Sequence, residues 1–435
     1  MLNKLKNYYK SNVLLKVASY NSVSTLIRLI SGFITSKAMA FFIGPSGMAI
    51  TGNLSNFMQS IESLSSLGIK NGVIKYVADS KTEKLQLKKV ISSAFLLVLF
   101  IAVILTSILF VFSDLISQFV FKSGDYSFLF KVAALIVPFY AFHIFFIAII
   151  NGLQKIKALV QINIIGYIIA SLLIVFLMSK QQLQGALIAI VITPLLLFFT
   201  LFFKYGFVKQ IIHNIDFSLI STEYFKKISS FFSMTLFSGI MIPMVYLLIR
   251  NHIIENIGAT DAGYWEAMRK ISNYYMLFVY TLFGMYLLPM LSEAKTDSKF
   301  RDIIFHFYKS LLPIIIIGFV IIYAFRVLLI KLVLTNDFLP MQQLFLWQLI
   351  GDFFKIVSFT IAYQLQAKRM IKLYLFCELL YISVIYFTSI YLIDTLGILG
   401  VVKAHTVSFI FYTLLMLVVF KDKIFVKKHA KKNIK

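Results

Sequence analysis

Acidic residues are scarce in this chain, with 18 Asp and Glu against 42 Lys and Arg in 435 residues. All charged types together make up 14%, where a soluble protein carries about 25%. With 60% hydrophobic residues and a mean hydropathy of +0.88, this excludes a water-soluble globular domain. Cys377 is the sole cysteine, which excludes an intramolecular disulfide and a thiolate metal site. The six histidines (His143, His213, His252, His306, His405, His429) are scattered. Neither HExxH nor GxxxxGK[ST] occurs, so no motif supports zinc or ATP hydrolysis, and no metal or cofactor is expected. A net charge of +24 would suggest nucleic acid in a soluble protein. In so apolar a chain it marks loops kept on the cytoplasmic side, and no nucleic-acid partner is expected.

What is present is a series of apolar segments long enough to cross a bilayer, which takes about 20 residues each. The chain reads as an all-α polytopic membrane protein with twelve spans. They lie near 18–42, 47–68, 90–113, 128–151, 158–178, 185–206, 229–251, 264–290, 309–330, 341–364, 373–393 and 397–420. The second is polar on most sides, with Asn53, Asn56, Gln59, Ser60, Glu62 and Ser63, and suits a cavity wall better than a lipid-facing helix. Lys4, Lys6, Lys10 and Lys16 precede an apolar run ending at Ser36–Ala40, in the manner of a signal peptide. Arg28 interrupts its core, so an uncleaved first span is expected. With the N-terminus inside, 29 of the 42 basic residues fall in cytoplasmic segments and 5 in outer ones. That bias places both termini in the cytoplasm. The basic tail 421–435 reads equally as a topogenic tail and as a grip on anionic membrane lipid.

The spans repeat. Ile43-Gly44-Pro45-Ser46 opens the second, and Ile257-Gly258-Ala259-Thr260 precedes the eighth, 214 residues on. Leu153-Gln154 and Leu365-Gln366 end the fourth and tenth, 212 apart. Gly185-Ala186 and Gly400-Val401 open the sixth and twelfth, 215 apart. Three nearly equal offsets at equivalent span ends predict two six-helix bundles related by an internal parallel repeat. The expected organisation is an N-terminal bundle 1–206, a cytoplasmic linker loop 207–228, a C-terminal bundle 229–420 and the tail.

Ionisable residues inside spans are costly and are read as functional. Asn21, Ser24, Arg28, Ser31 and Thr35 are spaced to share one face of the first helix. Lys37 lies about half a turn away and reads as lining a cavity or snorkelling to the headgroups. In the eighth span Glu266, Arg269, Lys270 and Asn273 share a face, either as a cationic lining or as a self-neutralising salt-bridge cluster. Lys403 and Thr406 repeat the theme in the twelfth. Arg250 and Arg326 sit at span ends, where interfacial anchoring is the stronger reading. In the tenth, Gln348, Asp352 and Lys355 share a face, so the two charges should pair or border a wet hollow. Basic residues (Arg28, Arg269, Lys270, Lys355, Lys403) outnumber acidic ones (Glu62, Glu266, Asp352, Glu378) within the spans. Such a lining favours an anionic ligand, phosphate or pyrophosphate above all.

Several stretches carry a resemblance. These are Ile43-Gly44-Pro45-Ser46-Gly47, Asn71-Gly72-Val73 with Lys75-Tyr76-Val77-Ala78, and Tyr286-Leu287-Leu288-Pro289. The most specific is Phe345-Leu346-Trp347-Gln348-Leu349 with Gly351-Asp352 and Lys355. The sequence resembles the multidrug/oligosaccharidyl-lipid/polysaccharide exporter superfamily over nearly its whole length, and within it the Wzx-type flippases. The resemblance implies a V-shaped pair of bundles around a cationic cavity in the bacterial inner membrane. It also implies a substrate, an undecaprenyl-pyrophosphate-linked oligosaccharide (an O-antigen or lipid III-like unit), moved to the periplasmic leaflet by alternating access without catalysis. Arg28, Lys37, Lys75, Arg250, Arg326 and Lys355 match basic positions of the family, while Lys270 and Lys403 rest on the stripe argument alone. The expected substrate-binding set is Arg28, Lys37, Arg250, Arg269, Lys270, Lys355 and Lys403. Asp352, Glu62 and Gln348 are expected to gate or pair, with Asn71 and Lys75 at the cytoplasmic entry and the glycan polymerase machinery as a possible partner. Two rivals stay open. A cation-coupled multidrug exporter would need a dominant acidic cluster in the first half, where Glu62 is alone. A membrane glycosyltransferase or ligase would need a longer outer loop than 114–127.

Overall fold

The computed structural model describes residues 13–66, 69–229 and 232–425, with side chains described apart from 13–21, 69 and 233–235. Lys4, Lys6, Lys10, the tail beyond Phe425 and the side chains of Lys16 and Asn21 thus lie outside the described residues. Among the described residues all regular structure is helical. In chain order it comprises α1 (Val13–Ser66), α2 (Ile69–Ser80), α3 (Lys84–Val111), α4 (Ser113–Phe121), α5 (Ser127–Gly152) and α6 (Ile156–Thr200). Then come α7 (Tyr205–His213), α8 (Thr222–Ser229), α9 (Phe232–Asn256), α10 (Ala259–Leu282), α11 (Leu288–Glu293) and α12 (Asp297–Ala324). The last are α13 (Arg326–Val333), α14 (Phe345–Ala367), α15 (Ile371–Leu396), α16 (Ile398–Val419) and α17 (Lys421–Ile424).

Ten helical stretches among the described residues are long and apolar enough to cross a membrane. Two of them, Ser22–Ser80 and Ile156–His213, are far longer than a bilayer needs. Both break where the sequence placed a boundary. Gly44 adopts φ 60° inside α1, a left-handed conformation open to glycine, and Pro45 then starts the second leg with its φ already helical. In α6 the break falls at Gln181 and Gln182. Divided at these kinks, the ten stretches make the twelve expected spans, and the chain is a multi-pass membrane protein.

The repeat recurs in the backbone with closer spacing than in the side chains. Left-handed residues occur at Gly44 and Gly258, at Gln154 and Arg369, and at Gln182 and Gly397, which are 214, 215 and 215 apart. The Leu-Gln pairs 212 apart are therefore out of register with the turns they flank. A Cβ on Gly185 would collide with the carbonyl oxygen of Leu177, and one on Gly400 with that of Leu392, both pairs 215 apart. The glycines that open the sixth and twelfth spans are there because each helix starts hard against the end of the one before it.

The chain forms two compact units, Met1–Leu248 and Ile249–Lys435. The first has an apolar core running from Leu54 and Val73 through Phe130, Phe145 and Ile162 to Leu247. Its second span is polar on two sides. Asn53 is buried and donates 3.0 Å to the carbonyl of Val120, satisfying a group left open at the end of α4. Gln59 and Glu62 are exposed. Residues 207–228, expected as a loop, contain most of α7, a 3₁₀ turn Phe217–Leu219 and most of α8. The segment is held on α3: Ser92 Oγ accepts from the Asp216 N–H at 2.8 Å and Ser93 Oγ from the Ser221 N–H at 3.0 Å. The second unit packs α14 against α16. Thr406 Oγ1 donates to the Trp347 carbonyl at 2.7 Å and Thr413 Oγ1 to the Phe354 carbonyl at 3.2 Å. Both residue pairs advance by seven, two turns of each helix, so the helices run parallel.

Candidate functional site

In the second unit, two charged clusters form on helices that are otherwise apolar. The first is built by α9 and α10. Glu266 shares one carboxylate oxygen between Arg250 and Arg269, the latter at 3.2 Å. Arg250 has 0% of its side chain exposed, Glu266 7% and Arg269 17%. The two guanidinium carbons lie 5.5 and 5.4 Å from the Trp265 ring centroid, within cation–π range. Lys270, half-buried on the same helix, feels the charges of Glu266, Arg250 and Arg269. Arg250 is thus not an interfacial anchor: it lies fully inside the unit and its charge is met by Glu266. The cluster combines both readings of the eighth-span stripe, since one carboxylate among three cations leaves an excess of positive charge.

The second cluster centres on Asp352 in α14, which is fully buried. Its carboxylate accepts from Ser272 Oγ at 2.6 Å, from Tyr275 Oη and from Gln348 Nε2 at 3.1 Å. His405 Nε2 from α16 completes the set at 3.1 Å. Gly351 makes this possible, because a side chain there would strike the His405 ring. His405 is the partner of Asp352 on α16, while Lys355 lies one turn along α14. Lys355 turns instead into an aromatic cage, its Nζ 5.7 Å from the Tyr280 ring, 6.0 Å from Phe359 and 5.5 Å from Phe409. Lys403 Nζ lies 5.3 Å from the Trp347 ring. Both lysines are half-buried.

In the first unit Arg28 and Lys37 are exposed, with the Arg28 guanidinium 6.0 Å from the Tyr167 ring. Glu62 is exposed, with Tyr140 within its electrostatic reach. Asn71 and Lys75 are exposed on α2. Arg326 donates to the Tyr323 carbonyl at 2.8 Å, as expected of a side chain held at a helix end.

The structure therefore gathers Arg250, Arg269 and Lys270 into one cluster, and Gln348 and Asp352 into another. Ser272, Tyr275 and His405 are functional candidates that sequence reasoning passed over. Spacing within one helix does not show that α10, α14 and α16 meet, and six scattered histidines single out none. A cavity of about 290 Å³ in this unit is lined by Ile316, Phe319, Val320, Tyr323, Leu346, Leu349, Ile350 and Phe353. Its walls are apolar and aromatic, so it is not a cation-lined hollow.

The sequence pattern of the family described as "Polysaccharide biosynthesis protein" matches residues 14–295. The chain is 27% identical over 411 residues to a protein named lipid III flippase from Escherichia coli (strain K12), covering 92% of this chain and 96% of the relative. Among solved structures it resembles an inward-facing multidrug resistance MATE family transporter of the MOP superfamily. That likeness has a TM-score of 0.69 and 17% identity, over 93% of this chain and 96% of the other. It also resembles the lipid II flippase MurJ in an inward closed conformation, with a TM-score of 0.70 and 16% identity over 94% and 87%. At those identities the structural likenesses show the fold, which is that of the MOP superfamily transporters. The family match covers well over half of the chain: it belongs to the polysaccharide biosynthesis protein family.

Proposed function

We propose that this chain is a flippase that moves an undecaprenyl-pyrophosphate-linked oligosaccharide, an O-antigen or lipid III-like unit, from the cytoplasmic to the periplasmic leaflet by alternating access. The single observation that carries this reading is the end-to-end likeness to a lipid III flippase. The basic side chains at membrane depth supply its chemistry. Exposed Arg28 and Lys37 and the partly covered Arg269, Lys270, Lys355 and Lys403 attract the pyrophosphate. Arg offers paired donors to its oxygens and Lys a point charge. Arg250 and Glu266 act one step back, holding Arg269 and Trp265 in place. Asn71 and Lys75 receive the headgroup at the cytoplasmic entry, while Asp352, Gln348 and Glu62 pair or gate. The lipid tail stays among membrane lipids, and no bond is made or broken, so the work is transport and not catalysis. The protein resides in the inner membrane with both termini cytoplasmic, on the strength of the lysine and arginine distribution. There it can hand its cargo to glycan polymerase machinery. The rival reading, a cation-coupled multidrug exporter, has behind it a structural likeness that shows the fold alone.

The test is complementation. In a strain lacking its own flippase, the wild-type chain restores surface glycan, while Arg28→Ala and Lys355→Ala reduce it strongly at equal protein levels. Full surface glycan from both variants would remove these residues from the mechanism.

A further inference from the structure

The second unit buries a second acid that the site above does not use. Glu378 lies in α15 and is only 7% exposed, walled in by Tyr374, Cys377 and Tyr381 of its own helix and by Tyr412 of α16, all buried. Tyr412 is its electrostatic neighbour across the helix pair. The Glu378 oxygen Oε2 is buried and has no hydrogen-bond partner. The contrast with Asp352 is instructive. Asp352 accepts four hydrogen bonds, including one from His405, and so has what a buried carboxylate needs to stay charged. Glu378 keeps Oε2 open. A carboxylate at membrane depth with an open oxygen bears a large desolvation cost, and such a group takes up a proton instead.

The surroundings reinforce this. Along α16, His405, Phe409 and Tyr412 are spaced on one face. The His405 ring contacts Phe409, and Tyr381 contacts both Phe409 and Tyr412. The charged and titratable groups around this interior are His405 and Lys403 from α16, Lys355 and Asp352 from α14, and Tyr374, Cys377 and Tyr381 from α15. Lys355 reaches the ring cluster through Phe359 and Phe409. His405 is committed to Asp352. Among the described residues the salt bridges of the two clusters do not include Glu378.

We propose that Glu378 is a proton-binding site: its carboxyl is carried as the neutral acid against Tyr412, and this proton is the ion released and rebound during translocation. When the proton leaves the carboxyl oxygen for water, a negative charge remains between α15 and α16 and loosens their packing. Rebinding restores it. The coupling half of this proposal rests on the flippase reading, whereas the proton-binding half does not, and the two are tested separately.

Proton binding is read on the purified full-length protein by infrared spectroscopy of the carboxylic acid C=O stretch as pH is varied. At neutral pH the wild type shows a protonated carboxyl band that Glu378→Gln lacks and Asp352→Asn retains. Tyr412→Phe keeps the band but shifts its frequency, which tests the assignment even if Glu378→Gln folds poorly. A wild-type spectrum with no such band at neutral pH, or one unchanged by Glu378→Gln, overturns the proposal. Coupling is read as the rate of glycan-lipid flipping against pH. The wild type changes by about tenfold per pH unit on the alkaline side, the slope of a one-proton step, and Glu378→Gln, fixed in the neutral form, is flat. A Glu378→Gln profile that follows the wild type, or wild-type flipping that follows sodium and not pH, overturns the coupling. If the wild type flips nothing at all, the flippase reading fails and the infrared result stands by itself.

Discussion

Glu266 is one carboxylate holding two guanidinium groups inside a membrane protein, and its removal has a calculable consequence. At the 3.2 Å separation from Arg269, the attraction is about 5 kcal/mol at an effective dielectric constant of about 20. The Arg250 contact adds to this, and desolvation of all three groups takes much of it back. The net cost of deleting one partner of a buried pair is about 3–5 kcal/mol, because the other charge stays inside without its counterion. Glu266→Gln is therefore expected to destabilise the second unit by that amount. Arg250→Met combined with Glu266→Gln should cost less than Glu266→Gln alone, since the stranded charge is gone. The assay is reversible unfolding in mixed micelles followed by intrinsic fluorescence. Both tryptophans of the chain, Trp265 and Trp347, report from this unit, and Trp265 lies against both guanidinium groups. A Glu266→Gln protein within about 0.5 kcal/mol of wild type, the size of an ordinary surface substitution, would refute the reasoning. So would a double variant whose cost is the sum of the two single ones.

Other expectations follow from the same geometry. Asp352→Asn leaves donors from Ser272, Tyr275, Gln348 and His405 competing for one oxygen. It should destabilise by about 3 kcal/mol, the upper end for unmet buried donors, in the same unfolding assay. Gly400→Ala drives a methyl group into the Leu392 carbonyl and should lower folded yield sharply. Gly44→Ala meets nothing within 4 Å, but φ 60° with ψ −169° is a region essentially reserved for glycine, so it should cost about 1–3 kcal/mol of backbone strain. On the linker, the Asp216 carboxyl is held below its ordinary range by the Ser218 hydroxyl, then by the Ser218 N–H, with Lys88 adding to this. Its contribution is complete above the ordinary carboxylate range and is lost as pH falls through the lowered value. Ser218→Ala should move the Asp216 titration back up, measurable by carboxyl-carbon NMR.

The fold was largely legible because a bilayer imposes its length on every span. Twelve apolar segments, the boundary at Gly44 and the openings of the sixth and twelfth spans at Gly185 and Gly400 followed from hydropathy and glycine placement, whereas the kink and the close helix starts there did not. The linker was less legible. Its short helices lack a long apolar stripe, and what orders them is a pair of serines on α3 more than a hundred residues away. Within the site, helical spacing put Glu266, Arg269 and Lys270 on one face, but a face does not name its partner. Arg250 looked like an anchor because it ends a span; its burial depends on α10 lying alongside. Asp352 and Lys355 share a helix face, yet Asp352 finds better-placed donors on α10 and α16, and Lys355 finds rings. Three-dimensional neighbours on different helices decide both outcomes, and spacing along one helix carries no record of them.

The role proposed for the basic side chains at membrane depth is to take a pyrophosphate-linked glycan across the bilayer. Its most direct test uses vesicles containing the purified full-length chain and an undecaprenyl-pyrophosphate-linked oligosaccharide confined to one leaflet. The readout is the amount of glycan that becomes accessible to a glycosidase on the other side. The account predicts transfer that depends on the wild-type protein and is slowed by about tenfold or more in Arg28→Ala and in Lys355→Ala, a loss of about 1.4 kcal/mol of barrier lowering. Transfer no faster than in protein-free vesicles, or equal rates for the wild type and both variants, would contradict it.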